Sequence, residues 1–128
     1  MKAGSKVTAL VPAYQAAGFI QKTLDSLSAQ TYDNFDVLIS VDFCDDDTYE
    51  ICRRHAMTDN RFKVIRITEK RLGYVGNCNF LMRQAQADYV MLAFHDDLLE
   101  PAFTSKLCAA LDSHPEAVLA FSDVHYTP

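Results

Sequence analysis

Apolar residues along the chain switch repeatedly between a run of strand length and a helical period. Val7 to Val11 is a short apolar run and predicts a first strand. Ile20, Leu24 and Leu27 then fall at i, i+4 and i+7 within Phe19 to Ala29, which places them on one helical face. Asp36 to Val41 is apolar and β-branched, a second strand. Asp47 and Glu50 have the spacing of a capping box, starting a helix that runs to about Ala56. Phe62 to Ile67 alternates apolar and basic residues, as an outer, half-covered strand does. A helix from near Gly76 to Ala87 follows, and then Tyr89 to Phe94, wholly apolar, predicts a strand at the sheet centre. Pro101 suits the first turn of a helix that presents Phe103, Leu107, Ala110 and Leu111 on one side. Ala117 to Phe121 reads as a fifth strand. Strands alternating with helices predict an α/β fold: a mostly parallel sheet with helices on both faces, in one domain over residues 1–128.

Composition narrows the class. With 49% hydrophobic residues in 128 the chain can bury a core, so disorder is excluded. The apolar run Tyr89–Phe94 is far too short to cross a membrane, and Met1 to Lys6 lack the apolar stretch of a secretory leader. A cytoplasmic protein is expected. The net charge of −5 is concentrated: Asp42, Asp45, Asp46, Asp47, Asp96 and Asp97 supply six of the 17 acids, and the remaining 11 nearly balance the 12 bases. Such patches repel nucleic acid and attract a divalent cation. Cys44, Cys52, Cys78 and Cys108 form no CxxC pair, which argues against zinc. Cys52 and Cys108 read as buried hydrophobes, whereas Cys44 and Cys78 lie in loop-like contexts where a reactive thiol is conceivable.

Ligands of parallel α/β sheets bind beyond the carboxyl ends of the strands. There the first strand ends in Pro12-Ala13-Tyr14-Gln15, the second in Asp42 and the acids Asp45 to Asp47, and the fourth in His95-Asp96-Asp97. Carboxylates gathered at one rim repel one another unless a cation or a hydroxyl-rich ligand sits among them. A diphosphate beside them needs a bridging Mg²⁺ or Mn²⁺. No glycine-rich turn follows the first strand and there is no P-loop, so neither dinucleotide nor P-loop nucleotide binding is expected. A receiver-type signalling domain has the right length and alternation. It would want acids after the first strand and an acceptor Asp after the third, where this chain has Ile67-Thr68-Glu69-Lys70.

In order, Val7 to Gln15 read VTALVPAYQ, Leu24 to Tyr32 carry L-x-S-L-x-x-Q-T-Y, and Ile39 to Thr48 read ISVDFCDDDT. Gly73, Asn77 and Asn79 come next, then Phe94-His95-Asp96-Asp97, Pro101 and Phe121-Ser-Asp-Val124. This series resembles the family 2 glycosyltransferases of the GT-A fold, a Rossmann-like nucleotide-diphospho-sugar transferase fold. Ile39–Thr48 is similar to that family's Asp-Gly-Ser-x-Asp-x-Thr loop, and Gly73–Asn79 to its Gly-x-x-x-A-R-N segment. Phe43 and Cys44 replace Gly-Ser, Cys78 replaces the Arg, and Phe94 stands where many members carry a further Asp.

The resemblance implies an inverting transferase of polysaccharide assembly. It would move a sugar from a nucleotide-diphosphate donor, UDP-linked by expectation, to a hydroxyl of a glycan, lipid-linked or other acceptor. Pro12, Ala13 and Tyr14 would wall the base pocket, and Asp42 would read the base. Asp46 has a weaker claim to the donor site. Asp96 would hold ribose or sugar hydroxyls, and Asp97 would ligate Mn²⁺ or Mg²⁺. His95 could assist. The catalytic base is expected beyond Pro128, so the chain reads as the N-terminal part of a longer, truncated enzyme, peripheral at most to the inner membrane face. Ending there would leave an exposed strand edge and invite self-association. A non-catalytic sugar-nucleotide-binding module is the alternative.

Overall fold

The computed structural model describes residues 4–126. Its elements run in chain order: β1 (Val7–Ala13), α1 (Ile20–Ser28), β2 (Phe35–Val41), α2 (Thr48–Thr58), β3 (Phe62–Arg66), α3 (Gly73–Gln84), β4 (Tyr89–Leu92) and α4 (Phe103–Ser113). Among the described residues the strands form one sheet in the order β3-β2-β1-β4, and every neighbouring pair is parallel.

Successive side chains of a strand face opposite sides, so each strand feeds two layers. Val7, Ala9, Val11 and Ala13 of β1 join Val37, Ile39 and Val41 of β2 in one apolar cluster with Ile20, Leu24 and Leu27 of α1, Cys52 of α2 and Cys108 of α4. Leu10 and Leu38 face the other way, onto Leu81 of α3. Helices thus cover both faces, as the alternation predicts. The three α1 side chains are fully buried, and each contributes about 1.5–3 kcal/mol of hydrophobic stabilisation.

Three expectations need correction. Tyr89–Leu92 is an edge strand of the described sheet, not a central one. Its uniform apolarity has a different origin: Tyr89 and Met91 pack on the main cluster. Val90 and Leu92, in register with Thr8 and Leu10, stay exposed. No fifth strand forms at 117–121. That segment has no neighbouring strand to complete a ladder, and Val118, Leu119 and Phe121 are exposed. The capping box also fails. Asp47 holds the N-cap position of α2 without a side-chain bond. Asp46 does the capping instead, its Oδ1 accepting from the Thr48 N–H (3.2 Å) and hydroxyl (2.6 Å). Glu50 turns outward to Arg53 (2.7 Å) and Arg54 (3.1 Å).

Chain connection reverses direction between β1 and β4, and ligand crevices of open α/β sheets form at such switch points. The two strands pair only as far as Leu10 with Leu92. Pro12, which has no N–H to donate, lies past that pairing, so β4 loses no ladder bond to it. Beyond this point the two chains separate, Tyr14 on one side and His95 on the other.

Candidate functional site

A cavity of about 180 Å³ opens at this carboxyl-end rim, lined by Pro12, Tyr14, Asp42, Arg71, Gly73, Tyr74, Asn77 and His95. A larger hollow of about 400 Å³ lies near Lys6, Asp36, Arg61 and Lys63, at the amino ends of the strands. Ligands of such sheets bind beyond the carboxyl ends of the strands, and two of the cations here are already paired, Lys6 with Asp36 (3.0 Å) and Arg61 with Asp59 (2.7 Å).

Asp42 follows β2 directly and is 3% exposed. Its Oδ1 accepts from the backbone N–H groups of Phe43 (2.8 Å) and Leu72 (2.8 Å), and Oδ2 from Gly73 N–H (2.9 Å). Leu72 and Gly73 open α3, where N–H groups lack partners within the helix. The carboxylate therefore caps α3 from the neighbouring strand, with the helix dipole favouring its charge. This explains why α3 begins at Gly73, three residues before the predicted Gly76: Gly73 adopts φ +77°, a conformation open to glycine. Asp42 N–H in turn donates to Ala13 O (2.8 Å), which fixes it beside the end of β1.

Tyr14 forms one wall. The Arg71 guanidinium lies 3.8 Å from its ring centroid, a cation–π contact. Tyr14 N–H donates to His95 Nδ1 (3.1 Å), and the His95 ring meets Phe19 edge-on at 5.3 Å. His95 is therefore a half-buried part of the cavity wall rather than a free loop residue. Tyr74, also in the lining, pairs with Phe94 at 5.7 Å.

Asp46 lies outside the cavity lining and is spent on structure. Its Oδ2 accepts from Ala17 N–H (3.1 Å), while Thr48 Oγ1 accepts from Ala16 N–H (2.8 Å). Gln15, at φ +47°, donates through Nε2 to Asp45 (2.9 Å). The loops after β1 and β2 are thus laced together. Burial opposes the Asp46 charge, but the bonds from Thr48 and Ala17 outweigh it and hold its carboxyl below the ordinary range. The lacing needs neither Gly nor Ser: Phe43 N–H reaches Asp42 with no positive φ at Phe43 or Cys44.

Asp96 and Asp97 are exposed at the end of the β4 segment. Partial burial, followed by the adjacent Asp96 charge, raises the Asp97 carboxyl. Two neighbouring carboxylates suit a cation, and hard divalent ions are held by one or two carboxylates plus ligand oxygens. Among the described residues no three His, Cys, Asp or Glu side chains converge as a metal group, so oxygens of a ligand would have to complete the sphere. Burial raises the thiols of Cys44 and Cys78, which leaves neither activated.

The structure therefore brings Pro12, Tyr14, Asp42 and His95 to one cavity. Ala13 is buried at its edge, and Asp96 and Asp97 are placed next to His95. Arg71 was not singled out in the sequence. The signal for it was faint: a basic residue two positions before the Gly73 turn.

The sequence pattern described as Glycosyl transferase family 2 matches residues 8–127. The chain belongs to this family. As a family 2 member it is 30% identical over 113 residues to EpsH of Bacillus subtilis (strain 168), a match covering 88% of this chain and 32% of EpsH. It is 28% identical over 107 residues to the glycosyltransferase GlyA of Streptococcus pneumoniae, covering 84% of this chain and 15% of GlyA. Among solved structures, S. aureus TarS 1–349 in complex with UDP superposes with a TM-score of 0.78 at 26% identity, covering 86% of this chain and 33% of that one. The mannosyltransferase PcManGT of Pyrobaculum calidifontis, in complex with GDP-Man and Mn²⁺, gives 0.69 at 26% identity, covering 74% and 28%. The family 2 chain thus spans about a third or less of these proteins. Membership and the GT-A neighbours bear out the fold class and the glycosyltransferase assignment. They set aside the receiver reading, as does the strand order, since a receiver sheet places β1 between β2 and β3. No described helix is long and apolar enough to cross a membrane.

Proposed function

We propose that this chain forms the donor-binding part of an inverting glycosyltransferase that takes a UDP-sugar with the help of a divalent metal. The observation that carries the reading is the cavity at the β1/β4 switch point, with an aromatic wall, a stacked cation and, directly after His95 in the chain, the Asp96-Asp97 pair. The uracil ring would lie on Tyr14, whose face Arg71 now covers. Arg71, displaced from the ring, would meet the ligand's negative charge. Pro12 and Ala13 hold Tyr14 at the end of a buried strand, so the platform is rigid. Asp42 frames the pocket. With three amide partners on a carboxylate that offers about four acceptor positions, it keeps one for a donor group of the nucleoside.

Asp97, with Asp96 beside it, would hold Mn²⁺ or Mg²⁺, and ligand oxygens would complete the coordination. When bound, such an ion stabilises negative charge on a departing diphosphate. Asp96 would hold ribose or sugar hydroxyls. Asp46 serves the site at one remove, by lacing the loops that carry Tyr14 and Asp42. The acceptor hydroxyl needs a carboxylate base, and the acceptor would be a glycan, lipid-linked or other hydroxyl compound. The whole enzyme would work on the cytoplasmic side.

Calorimetry with UDP, first with Mn²⁺ and then with EDTA, tests the reading. Binding that weakens at least tenfold in EDTA is expected, and Asp97→Asn should abolish that difference while leaving the unfolding midpoint unchanged, because Asp97 is exposed. Equal affinity under both conditions would remove the metal from the scheme.

A further inference from the structure

Gln30, just past the end of α1, is buried, 6% exposed. Every hydrogen-bonding position of its side-chain amide is used. Nε2 donates to Ser26 O (3.2 Å) and to Glu100 O (2.8 Å). Oε1 accepts from the Thr104 N–H (3.0 Å) and from the Thr104 hydroxyl (2.7 Å). Carbonyls at one end and an N–H at the other fix which end of the amide is which. One side chain thus joins the exit of α1 to Glu100 and to the first turn of α4. The next residue repeats the link, Thr31 N–H donating to Pro101 O (2.9 Å).

The exposed pair Asp96 and Asp97 lies between His95 and Glu100. His95 O accepts from the Thr23 hydroxyl of α1 (3.1 Å), and Glu100 O accepts from Gln30. The acidic loop is therefore slung along α1 and tied to it at both ends. Asp97 stands three positions before Glu100, so a fixed Glu100 confines it to within roughly 10 Å. An apolar residue at position 30 could hold α1 against α4 by burial alone. A fully bonded buried amide does something more: it specifies one arrangement of the segments it joins.

Building on the metal-assisted reading of Asp97, we infer that Gln30 is a positioning residue for the acidic pair: by holding Glu100 O, it places the Asp96-Asp97 loop for a divalent cation. Ions of this kind demand oxygen ligands at about 2.0–2.1 Å in near-ideal geometry. Groups that orient metal ligands from behind are worth about tenfold to a hundredfold in metal affinity. Gln30 lies outside the lining of the cavity around Tyr14 and Asp42. Its effect is confined to the metal-dependent share of nucleotide binding.

The test compares UDP affinity in Mn²⁺ and in EDTA for the parent, Gln30→Met and Thr104→Val, by calorimetry, with melting curves for all three. Met is close to Gln in length and cannot hold Glu100 O. Val is close to Thr in shape and takes only the hydroxyl away from Gln30, leaving the bond to Glu100. Gln30→Met is expected to lower the Mn²⁺ gain about tenfold, with its affinity in EDTA unchanged. Thr104→Val is expected to melt lower and to keep the gain. Should the Met chain not fold, Gln30→Glu takes its place: it keeps an acceptor for Thr104 and turns a second oxygen toward Glu100 O. A Gln30 variant that melts lower but keeps the full gain overturns the inference and leaves Gln30 as a bolt between α1 and α4. Equal losses in Mn²⁺ and in EDTA, or loss of the gain in Thr104→Val as well, overturn it too. A parent without any Mn²⁺ gain removes the metal reading itself, and this inference with it.

Discussion

The backbone N–H of Tyr14 donates to Nδ1 of His95 across the gap where β1 and β4 part company. One bond therefore couples the aromatic wall of the cavity to the segment that immediately precedes Asp96 and Asp97. Because Nδ1 accepts, the neutral imidazole carries its proton on Nε2. The Thr23 hydroxyl, donating to His95 O (3.1 Å), anchors the same residue to α1.

Removing that link should misplace the wall. His95→Ala is expected to weaken UDP binding by about fivefold to tenfold, the scale of a lost hydrogen bond, with and without Mn²⁺ alike. Titration calorimetry under both conditions reads it. A loss confined to the Mn²⁺ condition would mean that His95 acts on the acidic pair and not on Tyr14.

Asp42→Ala should behave first as a stability mutation. It strips a buried carboxylate from three amides, two of them at the start of α3. Leaving such donors unpaired costs about 2–3 kcal/mol, which urea denaturation would show as a lower midpoint. A variant of parental stability that no longer distinguishes uridine nucleotides would instead give Asp42 the direct reading role expected from the motif.

Asp59 offers a pH test away from the site. The Arg61 guanidinium beside it is the main reason its carboxyl sits at about 2, against an ordinary 3.8. A carboxyl held lower in the folded chain adds stability above its unfolded value and loses it as pH falls. Stability should therefore drop between about pH 4 and pH 2, and less steeply in Asp59→Asn. Identical pH profiles from chemical denaturation would show that the pair contributes nothing.

A test of self-association concerns β4. Its outer edge has no neighbour among the described residues, and Val90 and Leu92 are exposed beside it. Unpaired edges of this kind template pairing between chains. This chain is expected to associate in light scattering, and Leu92→Lys should shift it toward monomer. Monodisperse behaviour of the parent would mean the edge is blunted.

Most of the layer order was legible because it rests on side-chain periodicity: Ile20, Leu24 and Leu27 are buried as their spacing requires. The strand ends were legible for the same reason, and with them the positions of Tyr14, Asp42 and His95. What the sequence hid depends on partners distant along the chain. Tyr89–Phe94 is apolar, but apolarity does not say how many neighbours a strand has. Ala117–Phe121 has strand composition without a strand to pair with. Asp47 had the spacing of a cap, and only the fold shows that Asp46, bonded to Ala17 from another loop, has the geometry. Arg71 finds its place through Tyr14, 57 positions earlier in the numbering.

The position of Asp42 also bears on how such a pocket can be re-tuned. Its carboxylate is built into the junction of β2 and α3, so any change there disturbs a helix terminus before it alters recognition. Tyr14, Arg71 and Asn77 line the same cavity from separate elements, and among the described residues the Arg71 guanidinium is held only by its stack on Tyr14. An engineer seeking a new donor, or a lineage drifting toward one, would find its freedom in those three side chains, while the most conspicuous acid of the motif stayed where the architecture needs it.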